Sequence, residues 1–458
     1  MSEKQNSHFL KKSFQIAFPL MGSRLLFTLN TFIGVLMLAS LGTKMLAATS
    51  LITTAMLVIT VVSMSLMFSV TPIASRMYGG KKYEKIGQLV QQALIISIFI
   101  SIIAMILMFS MDKIFLFLNQ SPVLCGYVRE YFYAAMWGMP AMLLSNALSQ
   151  FYSAVLKQKF VFWFSFVGLI LLIIFSYLLI FGAFGFPKLG VAGFGWAFTI
   201  KSWLTLFISI GYLCFNSDFK KYCILKFSVQ KDLLLLLIRI GWPIAMQMAV
   251  ELFSLIILAV FIGWLGSAKL AAYQISSQYL YLLIIPIFSI SQSTGIMTGH
   301  IIGEKKYNEL NRCVMTNFGL ALFVIGLVFL IFISFSHFLI LLFVNGSNLS
   351  SNAIFFKLVF WIIILMIMGQ IFDAFRNIMT GALRSLYDTK VPMLISVFCI
   401  WGIAIPGAYI ASQILHWGII GIISLDDVSL IITSIFIFKR WQKAHVFLLK
   451  NKKFLTHD

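Results

Sequence analysis

Long apolar blocks, separated by short polar or basic stretches, follow one another along nearly the whole chain. A helix that crosses a bilayer needs about 20 predominantly apolar residues, because each residue rises only about 1.5 Å and every backbone polar group must be satisfied internally. That ruler predicts about twelve spans, near 14–39, 46–77, 88–110, 131–155, 161–183, 192–215, 238–264, 271–297, 313–335, 353–380, 393–413 and 419–438. The segments 112–129 and 337–352 are too interrupted to cross and are expected as outer loops. The expected fold class is therefore an all-α membrane protein.

Composition agrees. Of 458 residues, 61% are hydrophobic and 10% charged, with a mean hydropathy of +0.99, whereas a soluble domain carries about 25% charged residues. A water-soluble enzyme is excluded. The formal charge of +20 would suggest nucleic-acid binding in a soluble protein, but sorting the 34 Lys and Arg residues by side gives another meaning. With the N-terminus inside, 25 fall on the inner side and only Lys44, Lys113, Arg129, Lys188, Lys269 and Lys357 on the outer, leaving Arg24, Lys201 and Arg376 within spans. By the positive-inside rule both termini are cytoplasmic, in a plasma membrane such as the bacterial inner membrane, and no nucleic-acid partner is expected. The five cysteines show no CxxC spacing and read as reduced thiols. No small-residue cleavage site follows the first apolar run, so that span is expected to be retained.

The chain also repeats itself. At an offset of 224, Leu41-Gly42 with Leu46-Ala47-Ala48 returns as Leu265-Gly266 with Leu270-Ala271-Ala272, Pro19 as Pro243, and Gly79-x-Lys81-Lys82-Tyr83 as Gly303-x-Lys305-Lys306-Tyr307. Several collinear matches at one spacing indicate duplication. The expected organisation is an N-terminal six-helix lobe (1–215), a cytoplasmic interlobe linker (216–236), a C-terminal six-helix lobe (237–438) and a basic cytoplasmic tail (439–458). Six spans per copy give both lobes the same orientation, related by a pseudo-two-fold axis along the membrane normal.

Candidate chemistry lies in the few ionisable residues inside spans, which are costly unless paired or facing a water-filled cavity. Of 14 acids, only Glu251, Asp373, Asp426 and Asp427 lie well within spans, all in the second copy. Gln247 stands one turn before Glu251 on the same face, and Gln370 and Arg376 flank Asp373 at three residues on either side. Such an Arg–Asp pair would hold the aspartate ionised. The first copy offers the opposite charge, Arg24 and Lys201, with a polar arc of Ser23, Thr28, Asn30 and Thr31 beside Arg24. These two cations either snorkel and bind helix-end carbonyls, or line a positive cavity that favours an anionic or zwitterionic substrate. No P-loop occurs, so ATP is not the direct energy source.

The segments LGTKMLAATS (41–50), LGSAKLAAYQ (265–274), GWPIAMQMAVE (241–251) and GALRSLYDTKVP (381–392), with Ala17-x-Pro19 and the Gly-x-x-Gly opening of the last span, resemble the multidrug and toxic compound extrusion (MATE) family, NorM-like branch. The resemblance implies a non-enzymatic secondary antiporter that exports amphiphilic small molecules in exchange for Na⁺ or H⁺ by alternating access. It implies Glu251 and Asp373 as the coupling acids, and as Na⁺ ligands if sodium is the ion. Asp426 and Asp427 stand where the family is not usually acidic, and either act as auxiliary acids or line an outward water-filled vestibule without binding. Arg24, Asn30, Lys201, Gln247, Gln278 and Arg376 are the candidate substrate-cavity residues. No cofactor is expected beyond the coupling ion, and the partners are the substrate and membrane lipid, with the protein monomeric. The sequence departs from the family at Gly34, where many members carry a first-span aspartate. The rival reading is a lipid or lipid-linked oligosaccharide flippase of the same superfamily.

Overall fold

The computed structural model describes residues 2–224, 228–344 and 353–450, and among them only helices and turns occur. In the first half the helices are α1 (Ser2–Ala39), α2 (Thr43–Ser65), α3 (Val70–Gly79), α4 (Tyr83–Phe109), α5 (Met111–Phe117), α6 (Pro122–Ala135), α7 (Met139–Ala154), α8 (Gln158–Phe181) and α9 (Val191–Phe215). In the second they are α10 (Lys231–Trp264), α11 (Ser267–Gly303), α12 (Leu310–Val344), α13 (Ala353–Ser385), α14 (Lys390–Cys399), α15 (Ile405–Tyr409) and α16 (Gly418–Lys450). Among the described residues, eleven helical paths are long and apolar enough to cross a membrane. The expected fourth span, 131–155, is instead divided between α6 and α7 by a 3₁₀ turn at Met136–Gly138. Pro140, in the first turn of α7, has no N–H to return to residue 136, and a tighter turn takes up the break.

Two expected loops are helical. Segment 112–129 holds most of α5 and the first half of α6, which Pro122 opens from a position where its missing N–H costs nothing. Residues 337–344 continue α12, and 345–352 lie outside the described residues. The expected tail from 439 is helical as far as Lys450, as an unbroken continuation of α16.

The duplication is written into the backbone. Gly42 and Gly266 both turn into the following helix at positive φ, 122° and 110°. Lys81 and Lys305, again 224 residues apart, both take left-handed conformations at φ 57° and 61°, uncommon for a residue with a side chain. Pro19 and Pro243 both lie inside helices. The chain forms two compact units, Phe18–Ala245 and Met1–Ala17 with Met246–Asp458. The unit boundaries fall within two residues of these prolines, inside α1 and α10.

The core of the unit Phe18–Ala245 draws on α1, α2 and α4 to α9, around Phe132, Met139, Ile180 and Ala197. The segment after α9 is fastened to it. A 3₁₀ turn, Ser217–Tyr222, buries Phe219 and Tyr222, the side-chain amides of Gln91 and Gln92 donate to the carbonyls of Ile224 (2.6 Å) and Ser228 (2.7 Å), and the Ser228 amide donates to Gln91 Oε1 at 3.1 Å. Lys157 closes the turn through Asp218 at 2.7 Å, and its ammonium holds the Asp218 carboxyl below the usual carboxylate range.

In the other unit α11 and α13 pack closely because small residues meet at their crossing. A methyl on Gly381 would stand 2.6 Å from the Ser291 carbonyl, and one on Gly295 3.1 Å from that of Gly381. Ser385 donates to the Gly295 carbonyl (2.6 Å) and Ser291 to that of Asn377 (2.6 Å). Without a hydrophobic force between helices in lipid, such close packing and interhelical hydrogen bonds hold a bundle together. Large apolar side chains such as Phe99, Phe117, Phe323 and Leu330 face outward, 65%, 86%, 68% and 64% exposed, the surface expected against lipid.

Gly87 on α4 faces the fastened turn, and a Cβ there would collide with the Tyr222 carbonyl. Gly87→Ala is expected to lift the turn and destabilise the protein by about 1–3 kcal/mol, the cost of overpacking. Thermal unfolding in detergent measures it, together with faster proteolysis within 216–230.

Candidate functional site

The seventh span, α10, places Gln247 and Glu251 on one face, and α13 carries Asp373, Arg376 and Asn377 within just over one turn. Packing against α11 fixes the depth of α13, and α10 and α13 then present their ionisable side chains to each other. Arg376 lies between the two acids. Its Nη1 donates to Glu251 Oε1 at 2.5 Å, and its Nη2 and Nε donate to Asp373 Oδ1 at 2.7 and 3.0 Å. Arg376 is 6% exposed and Asp373 9%, while the Glu251 side chain keeps 24% of its surface open.

Side-chain amides also donate to both carboxylates. Gln247 Nε2 donates to Glu251 Oε1 at 3.0 Å and, more weakly, to Ser396 of α14 at 3.4 Å. Asn377 Nδ2 donates to Asp373 Oδ2 at 2.8 Å. A guanidinium fork with two carboxylates satisfies the demand that buried charges be paired and hydrogen-bonded. The sequence anticipates the Asp373–Arg376 contact from its three-residue spacing. It carries no sign of the Glu251–Arg376 contact, which joins residues 125 apart. Asn377 and Ser396 were not anticipated either, although Asn377 lies at the helical spacing of four from Asp373 and could have been found on that ground.

Asp426 and Asp427, in α16, stand beside this cluster without joining it. Asp427 rests its carboxylate against Gly369 of α13, where a Cβ would displace it. Asp426 is near enough to Asp373, Arg376 and Tyr273 for their charges and dipoles to act on it. Neither has a cationic partner within ion-pair distance among the described residues. Gln370 is buried with its Oε1 unpaired. Gln278 of α11 is exposed. No three His, Cys, Asp or Glu side chains among the described residues converge as a metal cluster.

In the unit Phe18–Ala245 the expected polar arc of α1 turns back on its own helix. Ser23 donates to the Leu20 carbonyl (2.8 Å), Thr28 to that of Arg24 (3.2 Å) and Asn30 to that of Leu26 (2.8 Å), which leaves Asn30 Oδ1 buried and unpaired. Arg24 is half-buried. Lys201 of α9 is half-buried too, its ammonium 5.8 Å from the Phe198 ring centre and its stem against Gly168 of α8. Gly34 faces Phe194, and the ring occupies the space that any side chain at 34 would need.

These features define a polytopic α-helical membrane protein that keeps a paired charge cluster inside one of two units. The chain belongs to the MatE family, whose model matches it twice, at residues 19–178 and 243–410, two starts separated by the repeat offset itself. It is 26% identical over 400 residues to the probable multidrug resistance protein NorM of Aromatoleum aromaticum, covering 86% of this chain and 85% of that protein. It is 27% identical to the multidrug resistance protein NorM of Burkholderia vietnamiensis, covering 84% of each. Its fold is similar to a solved MATE in the bent conformation (TM-score 0.86, 16% identity, covering 98% of this chain and 99% of that one). It is also similar to an outward-facing multidrug resistance MATE family transporter (TM-score 0.86, 17% identity, covering 96% and 97%).

Two outcomes follow from the packing. Arg376→Met leaves two carboxylates facing each other without a counter-charge, and is expected to cost about 3–5 kcal/mol, the penalty for removing one partner of a buried pair, read as a lowered unfolding temperature. Gly34→Asp should cost about 1–3 kcal/mol by overpacking against Phe194. The same substitution with Phe194→Ala should lose less than the sum of the two single changes, as a double-mutant cycle of unfolding temperatures would show.

Proposed function

We propose that this protein is a secondary antiporter that exports amphiphilic small molecules or drugs in exchange for inward-moving Na⁺ or H⁺ by alternating access, with Glu251 and Asp373 as the coupling acids. The supporting observation is the convergence of these two acids, from α10 and α13, on one buried point. The names of the matched relatives, multidrug resistance proteins, support drug export. Exchange requires that ion and substrate favour different arrangements of the protein. A cluster whose charge balance changes on ion binding is suited to that, because an uncompensated charge inside the bundle is costly.

On this reading Asp426 and Asp427 are auxiliary acids beside the coupling pair, and Gln247 and Arg376 tie the pair to its helices. Arg24, Asn30, Lys201 and Gln278 are the further residues offered to substrate. The excess of basic residues on one side supports cytoplasmic termini, and on this reading the protein works as a monomer in a bacterial inner membrane. The flippase reading, which would draw its headgroup cations from Arg24 and Lys201, is not favoured by the matched relatives, which are multidrug resistance proteins.

The test is efflux of ethidium from proteoliposomes under a Na⁺ gradient and, separately, a pH gradient. Glu251→Gln is expected to lower gradient-driven efflux at least tenfold under whichever gradient drives the wild type. An unchanged rate under both would remove Glu251 from the coupling role.

A further inference from the structure

We propose that Arg376 is a built-in occupant of the seat between Glu251 and Asp373, and that while it is docked no alkali-metal ion binds there. The inference rests on the coupling role proposed for the two acids and removes Na⁺ from the two ions left open above.

The geometry carries it. A bare cation the size of Na⁺ or Ca²⁺ that bridged the two carboxylates would need oxygen atoms at about 2.3–2.6 Å. Arg376 holds one oxygen of each acid, Glu251 Oε1 at 2.5 Å and Asp373 Oδ1 at 2.7 Å, and so places its own positive charge in the space between them. Ion and guanidinium cannot share those atoms, and moving the guanidinium aside would leave it buried at 6% exposure with its own charge unpaired. The other groups are donors as well. Gln247 and Asn377 turn amide N–H toward the acids, whereas an alkali-metal ion requires oxygen ligands. The side-chain amides can reverse, since each carries an acceptor at the other end, but the guanidinium has no acceptor and stays charged at any physiological pH. Arg376 is therefore the group that excludes the ion for as long as it is docked. Its spacing enforces docking, because Asp373 and Arg376 sit three residues apart on one helix and approach each other wherever α13 goes.

Binding of ²²Na⁺ to the purified protein tests this without knowledge of the substrate. For the wild type no saturable binding is expected up to about 100 mM Na⁺, the concentration of an ordinary physiological medium. Arg376→Gln should gain saturable binding that the added change Glu251→Gln abolishes, and its unfolding temperature should rise in NaCl but not in choline chloride. A folded Arg376→Gln that binds no ²²Na⁺ overturns the proposal, because something other than the guanidinium is then excluding the ion. Saturable binding to the wild type that disappears in Glu251→Gln overturns it too, and this arm decides the matter even if the arginine variant does not fold. Failure of the underlying coupling role has a separate signature, unchanged ethidium efflux by Glu251→Gln under both gradients.

Discussion

In hydrocarbon, a backbone N–H or C=O without a partner costs several kcal/mol, and no water is present to supply one. The helical character of this chain and the placement of its irregular backbone follow from that constraint. Breaks occur where another group or geometry takes up the freed bonds. The 3₁₀ turn at Leu66–Ser69 joins α2 to α3 without leaving the helical path, and the π turns at Ile400–Ala404 and Ile410–Ile414 flank α15, which carries Pro406. Hydroxyls obey the same rule, since Thr49, Thr53, Thr294 and Thr298 each return their proton to the carbonyl four residues back. The left-handed residues that no helix can contain, Lys81, Leu156, Lys305 and Tyr387 among them, stand in the connections between helices.

Charge meets a stricter form of the constraint. A guanidinium inside a bundle has to find carboxylates, and Arg376 takes one from its own helix and one from α10, so that a local pair becomes a tie between two segments. Such a tie adds little net stability compared with a well-packed apolar contact, because the desolvation of three charged groups offsets most of their attraction. Its effect lies in position. Sliding α13 along α10 by one residue would move Arg376 away from Glu251 while keeping it beside Asp373, leaving one carboxylate unpaired.

The sequence shows the spans because an apolar run of 20 or more residues has few alternatives, and it shows the duplication because turn residues cannot drift: Gly42 and Gly266, Lys81 and Lys305 hold backbone conformations that most residues avoid. Features below the length of a span were lost. The seven residues of α5 are too few to register against a ruler of 20, and the Met136–Gly138 break changes direction without changing composition. The candidate site was legible only along a helix. Spacings of three and four residues expose Asp373 with Arg376 and Gln247 with Glu251. The contact of Glu251 with Arg376 depends on how deeply α10 and α13 sit against their neighbours, and that depth is set by glycines such as Gly295 and Gly381, whose role becomes visible only once the helices are packed.

The two copies have diverged most where their charges lie. In the unit Phe18–Ala245 the first-span position at which many family members carry an acid is Gly34, and Phe194 of α9 fills the space beside it. An aromatic ring in that space is incompatible with a hydrated carboxylate, because both need the same volume and only one tolerates being dry. Ring and glycine thus form one packing solution, and in the polar arc next to it Ser23, Thr28 and Asn30 bond to carbonyls of their own helix. The other unit carries its acids within its helices, and Arg376 pairs with two of them, Glu251 and Asp373. A duplicated scaffold tolerates such a division because each unit packs around its own core, so an aromatic ring can fill the space beside Gly34 in one unit while the other holds a cluster of paired ionisable side chains.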